Sequence, residues 1–444
     1  MELRDFIVTP IWLFIIYGFA YWVRPKFTDV NTKRYFIPAL TVRIIGALAV
    51  GIIYQFYYNG GDTFNFHTHG SRHIWEAFIN NPLDGLSLIF GYSTYNNELY
   101  SYSSKILFYS DPSSFFVIRM AGLFDILTFS SYSATAIMFA VISFIGLWAF
   151  FMTFYNEDKM RHKLLAFSVL FIPSVIFWGS GLLKDSITLG AVGLFVYSIN
   201  ELFNKRKGLF IHFMVLIITF LAIFIIKKYI LICLVPSMFM WILLRNTSEI
   251  RSFVVKILVV PILFVAVTVL GYFAVDTIVE EDRRYSLDKI AETAQITAYD
   301  IGFYTGKNAG SGYTLGELDG SLESMFRLFP EAVNVTLFRP YLWEVSNPLM
   351  LISALESLIL LFITGLIIMK VRPLNFIKYA LKPIPFFCLI FSIVFAFAVG
   401  ASTFNFGTLV RYKIPMLPFY LTALVFIYSN WKSDRNESLV ASTE

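Results

Sequence analysis

The chain has 444 residues, of which 57% are hydrophobic and 15% charged, with a mean hydropathy of +0.68. Soluble domains run at roughly 45–50% apolar and about 25% charged residues, so an ordinary soluble enzyme and a disordered chain are both excluded. The formal net charge of +5 is modest for this length and leaves no electrostatic footprint for nucleic acid.

A membrane-crossing helix needs about 20 mostly apolar residues. Eleven stretches meet that requirement, at 6–23, 36–57, 132–155, 164–181, 186–203, 209–226, 229–244, 253–275, 348–369, 383–400 and 412–430. They predict an all-α polytopic membrane protein of about 11 transmembrane helices with two long extracytoplasmic segments. The organisation that follows is an N-terminal transmembrane module, 1–275, with a first extracytoplasmic loop at 58–131 containing amphipathic helices. A small extracytoplasmic (periplasmic) subdomain at 276–347 comes next, then a C-terminal transmembrane module and cytoplasmic tail at 348–444. The first stretch reads as a retained anchor, because MELRDF carries little positive charge and Arg24 and Lys26 follow directly. More than half of the 35 basic residues fall in the connections 24–34, 159–163, 205–207, 245–256 and 370–382 and in the tail at 432–435. This bias places the N-terminus outside and the C-terminus in the cytoplasm. Usage rich in Phe, Ile, Lys and Asn, with two cysteines, fits a bacterial inner membrane. Cys233 and Cys388 lie inside predicted helices and read as buried apolar residues. No GxGxxG, phosphate-loop, HExxH or CxxC pattern occurs, so the nucleotide-handling machinery of an ATP-driven pump is not encoded in this sequence.

The first long segment opens with YNGGDTFNFHTHGSRHIWEAF, in which Asn59-Gly60-Gly61 is a turn signal. Helical spacing then places Asp62, Phe66, His69 and His73 on one face of a helix along the membrane surface, with Phe64 and Trp75 as interfacial anchors. His67, His69 and His73 stand close to Asp62, and such ligands suit a divalent cation, with His69 and His73 as metal candidates. The alternative is a polar face whose histidines meet water and headgroups. Farther on, Arg119 and Asp125 interrupt an apolar run at 115–129, read as a second amphipathic or dipping helix.

In FWGSGLLKDSITLGAV, Lys184 and Asp185 separate two apolar runs, and the residues after them open a helix whose N-terminus favours an anion. Lys227 and Lys228 form a third interruption, against the usual charge bias. The Gly-rich piece at 304–321 lacks a phosphate-loop pattern and reads as a flexible loop or lid. Arg327 and Arg339 follow on an aromatic return to the membrane, and Arg411 and Lys413 open the last helix, where an arginine fork suits a lipid-linked phosphate. On the predicted topology Asp62, Arg119, Lys184, Asp185, Lys227, Lys228, Arg411 and Lys413 all lie at the outer membrane boundary. One carboxylate facing several cations suits general-base chemistry beside a phosphate- or diphosphate-carrying lipid.

The segments GGDTFNFHTHGSR, FWGSGLLKDSI and TLVRYKIPMLP resemble integral-membrane glycosyltransferases of the GT-C superfamily, especially bacterial sugar-transferring members and related exopolysaccharide polymerases. The resemblance implies that Asp62 is the catalytic base and that Lys184 and Arg411 hold the lipid-linked phosphate. Asp62 departs from the family pattern in following the second predicted span and in lacking an adjacent acid. The expected function is transfer of a sugar from a polyprenyl-phosphate-linked donor to a glycan or lipid acceptor on the outer face, with Lys227, Lys228 and Lys413 as supporting charges. Three alternatives remain open: a polymerase using polyprenyl-diphosphate-linked units, a lipid or sugar transporter, and a non-catalytic subunit of an export complex.

Overall fold

The structure, a computed structural model, describes residues 2–91, 99–205, 208–246, 292, 294–297, 299–300, 311–316 and 319–441. Among them the regular elements are helical, with one isolated bridge between Gly312 and Asn405. Among the described residues seven helices are long and apolar enough to cross a membrane: Leu3–Phe27, Lys33–Phe56, Tyr132–Tyr155, Lys184–Phe203, Leu209–Arg245, Pro348–Val371 and Pro383–Ser402. The pair Phe406–Tyr412 and Leu417–Glu437, bent by 64°, makes an eighth if taken as one broken span. Three differences separate this from the eleven expected. The stretch 164–181 is broken ahead of Pro173 into two short helices, 209–226 and 229–244 are joined across a kink, and 253–275 lies outside the described residues.

The chain divides into two compact units, Met1–Lys228 and Tyr229–Glu444, and the expected boundary at 275 lies outside the described residues. In the first unit α1 (Leu3–Phe27), α2 (Lys33–Phe56), α8 (Tyr132–Tyr155) and α11 (Lys184–Asn200) run side by side. Asp5 at the start of α1 accepts from Ser131 Oγ at 2.7 Å, whereas Phe27 O at its end accepts from Trp148 Nε1 at 3.2 Å. Helix α1 is therefore parallel to α8. Helix α2 is antiparallel, since Asn31 just before it reaches Tyr155 and Gly51 near its end touches Tyr132. The helices α9 (His162–Leu170) and α10 (Pro173–Trp178) climb beside α2 from Arg34 to Val175, which accepts from Arg43. Glycines allow α8 and α11 to meet backbone to backbone: a Cβ on Gly146 would lie 2.0 Å from Gly190 O.

At the Tyr132 end the described part of 58–131 folds into a compact layer. It holds α3 (Asp62–Phe66), a π-helical turn His67–Ser71, α4 (Arg72–Asn80), α5 (Pro82–Phe90), α6 (Tyr100–Ser103) and α7 (Pro112–Thr128). Local chemistry sets the starts. Asn81 and Asp111 each cap a helix that opens with proline, and Ser131 caps α8. Phe66, Ile74, Ala77, Leu88, Val117, Ile118 and Ala121 bury one another here, together with Val50 of α2 and Leu183 ahead of α11. The amphipathic helices expected along the bilayer are thus packed on each other.

The second unit begins within α12 (Leu209–Asn246), in which Lys227 is non-helical at φ −147° and ψ 76°. It continues with α13 (Leu322–Arg327), α14 (Phe329–Phe338), α15 (Pro348–Val371), α16 (Pro373–Ala380), α17 (Pro383–Ser402), α18 (Phe406–Tyr412) and α19 (Leu417–Ala441). Trp241 stacks on Phe387 at 4.9 Å between ring centroids, joining α12 to α17. The described part of 276–347 packs on these helices. Thr336 of α14 donates to Ala396 O of α17 at 2.8 Å, and Tyr313 N donates to Phe404 O at 3.0 Å.

Candidate functional site

Five charged residues of the first unit, Asp62, Asp111, Lys184, Asp185 and Lys227, lie at its Tyr132 end. Leu183 leads extended into α11 and supplies no side-chain cap, so Lys184 and Asp185 occupy the exact start of that helix. Lys184 Nζ donates to Ser113 Oγ at 2.6 Å and lies 3.4 Å from Asp111 Oδ2. Asp185 turns the other way, is 1% exposed, and pairs with the buried ammonium of Lys227 at the kink in α12. Adjacent residues of opposite sign thus reach two partners of opposite sign, giving an alternating row Asp111, Lys184, Asp185, Lys227. Only the Asp111–Lys184 end meets water, with side chains 44% and 22% exposed.

Asp111 caps α7, taking the amides of Ser113 and Ser114 and both of their hydroxyls. Burial pushes its carboxyl up, but the Ser114 hydroxyl and the Lys184 charge pull harder, and the net position is below the usual carboxylate range. The sequence reading passed over this residue. Its signal was the Asp-Pro-Ser-Ser run directly before an apolar stretch, a helix start by composition alone.

Asp62 opens α3 after the expected turn, in which Asn59, Gly60 and Gly61 have φ of 55°, 130° and 119°. It is half-buried, on the layer that also carries Asp111. The face expected to join Asp62, Phe66, His69 and His73 does not form. The π-helical turn at His67–Ser71 inserts an extra residue per turn, so Phe66 and His67 are 2% and 0% exposed while His69 faces outward. His73 instead bonds Glu76 at 2.9 Å. Among the described residues no group of three or more His, Cys, Asp or Glu side chains is placed to hold a metal ion.

The other expected cations have structural partners. Arg119 donates to Leu88 O at 3.1 Å and to Gly91 O, tying α7 to the end of α5, and lies 4.5 Å from the Phe115 ring centroid. Lys228 lies 5.1 Å from the Phe224 ring. In the second unit Lys413 is buried, 3.2 Å from Ser357 Oγ and 3.5 Å from Arg339 O, while Arg411 is half-buried on α18. Arg339 pairs with Glu344, and Arg327 with Glu323.

Two buried centres accompany this end. Asp125 is 0% exposed and accepts from Ser71 Oγ and Thr135 Oγ1, both at 2.6 Å, with His67 Nε2 at 3.5 Å. Arg43, 1% exposed in the middle of α2, donates through Nη1 to Val175 O, the carbonyl end of α10. A lone arginine inside the apolar run 36–57 was the sequence signal for it.

Comparison with family models, with curated proteins and with solved structures finds no match to this chain. The chemistry therefore stands on geometry. A partly exposed lysine opens a 17-residue helix that Leu183 leaves without a side-chain cap, beside the Ser113 hydroxyl and next to a buried ion pair, so a cation and the amide dipoles of a helix start meet at the end of an apolar bundle.

Proposed function

We propose that this chain is a membrane glycosyltransferase moving a sugar from a polyprenyl-phosphate-linked donor to an acceptor on the extracytoplasmic face, with the Tyr132 end of its first unit facing outward. The observation that carries the reading is the Asp111–Ser113–Lys184 edge at the start of α11, because a lipid-anchored phosphate reaches a charged bundle end without leaving the bilayer. In this reading Asp62 takes the proton of the acceptor hydroxyl as its oxygen bonds to the anomeric carbon. The bond from that carbon to the phosphate oxygen breaks in the same step, and Lys184 offsets the charge left on the polyprenyl phosphate. A single displacement of this kind inverts the anomeric centre. A polymerase would use the same atoms with a diphosphate leaving group.

The test is sugar transfer by the full chain in nanodiscs from radiolabelled polyprenyl-phosphate hexoses. Asp62→Asn is expected to lower kcat by about 100-fold or more, within the usual range for a general base. Lys184→Ala is expected to weaken donor binding about tenfold, the loss of one charge-assisted contact. Undiminished turnover in folded Asp62→Ala protein sinks the base.

A transporter or headgroup flippase is the second reading, favoured by the break in α12 at Lys227 with its ammonium buried on Asp185. Broken helices bearing buried charge are the usual makings of a transport site. Translocation of labelled lipid with its glycosidic bond intact, abolished by Asp185→Asn, decides for it.

A further inference from the structure

Helix α16 is the short link between two membrane-spanning helices, α15 ending at Val371 and α17 beginning at Pro383. Its inner side is anchored, with Phe376 and Tyr379 packed against Ile427 and Trp431 of α19 and Tyr379 Oη donating to Asp434 at 2.8 Å. The outer side carries Leu374, Ile377 and Leu381, spaced i, i+3 and i+7, which are 84%, 57% and 50% exposed. Two large aliphatic side chains on one face of an eight-residue helix, with a third on its C-cap residue Leu381, are costly in water. They continue the exposed apolar stripe of α15, where Phe362 and Met369 are 64% and 69% exposed. Whatever covers that stripe, the acyl chains of a bilayer, covers this face as well.

Charge supplies the second half of the argument. Lys370, Arg372, Lys378 and Lys382 fall within and beside α16, and exposed Lys432 and Arg435 lie on the facing turns of α19. Lys378 is 63% exposed on the side chain and lies 3.6 Å from Asp434, the acid that also holds Tyr379. Lys382 lies 5.2 Å from the Tyr379 ring, with its stem along the apolar edge. Cations thus border the aliphatic face.

We propose that α16 is an interfacial helix that binds anionic phospholipid, with Leu374, Ile377 and Leu381 entering the acyl region and Arg372, Lys378 and Lys382 holding the lipid phosphate. The site is independent of the chemistry proposed for the first unit.

The full-length chain, purified in detergent and given equal phosphatidylglycerol and phosphatidylcholine, is examined by native mass spectrometry for retained lipid. Wild-type protein is expected to keep phosphatidylglycerol in preference, less so at high salt. Arg372→Gln/Lys378→Gln/Lys382→Gln is expected to lose that preference, at about fivefold per charge removed. Arg372→Lys/Lys378→Arg/Lys382→Arg should keep it, and Leu374→Ser/Ile377→Ser should lower retention of both lipids. Should the triple neutral variant not fold, Lys378→Gln alone is read for its fivefold share. Equal retention of the two lipids by wild type overturns the proposal. So does unchanged retention in a neutral variant that melts with wild type, or full displacement of lipid by millimolar inorganic phosphate.

Discussion

Asp111 takes two backbone amides and two hydroxyls while lying 3.4 Å from Lys184. Because its folded pKa is below the unfolded value of about 3.9, the ionised form adds stability above that value. The contribution is lost as pH falls through the lower folded pKa. Thermal melting of the detergent-held chain is therefore expected to be flat from about pH 7 to 5, then to fall below about pH 4, and Asp111→Ala should blunt the acid limb. At neutral pH the same substitution removes an N-cap and should cost about 1 kcal/mol. An identical acid limb in the variant would show that other carboxylates carry the acid sensitivity. At this scale the sequence named Lys184 and Asp185 correctly as a break in hydropathy. It did not name their partners, which come from 73 and 42 residues away.

The Asp185–Lys227 pair ties the start of α11 to the kink in α12. Removing one member takes a buried charge's ion-pair partner away, so Asp185→Ala and Lys227→Met are each expected to cost about 3–5 kcal/mol. The double substitution should cost clearly less than their sum, which a double-mutant cycle on unfolding in mixed micelles measures. Additive losses would mean that the two groups do not act as a pair. The α8–α11 contact has the opposite dependence, on the lack of a side chain. A Cβ on Gly193 would stand 2.1 Å from Gly146 O, so Gly193→Ala must separate the helices. The expected penalty is about 1–3 kcal/mol, seen as a lowered melting temperature and yield. In the first unit the Asn-Gly-Gly turn was read from the sequence, while the proline-bearing caps at Asn81 and Asp111 are local signals that the reading passed over. The π-helical turn was not legible in the sequence. It depends on His67 reaching Asp125 and on Gly70 passing Ile118, both supplied by α7.

Across the first unit, the Tyr132 end holds Asp62, Asp111, Lys184, Asp185 and Lys227. The Tyr155 end holds Lys33 and Arg34, with Arg34 bonded to His162 at 3.1 Å, and Lys159 and Arg161. By the bias of basic residues toward the cytoplasm, the Tyr155 end is expected to face inward. Cys233 and Cys388 are both buried, so single cysteines introduced elsewhere report against a low background. Ser110→Cys should react with an impermeant maleimide on intact cells, and Lys159→Cys only after permeabilisation. The reverse pattern would turn the protein over and remove the outer-face reading of the site.

Hydropathy is a sum over neighbours in sequence, and it was sufficient for what depends on such sums. It placed this chain in a membrane, located most of its long helices, and set charged interruptions at Lys184-Asp185 and Lys227-Lys228. Tertiary packing decided the rest. It divided 164–181 ahead of Pro173, buried Arg43 against the end of α10, turned Arg119 onto the carbonyls of α5, and matched Lys184 with Asp111. The Arg43 and Arg119 contacts each satisfy a polar group that the packing shields from water. The partner that satisfies it is chosen by proximity in the folded bundle, which no local window of sequence contains.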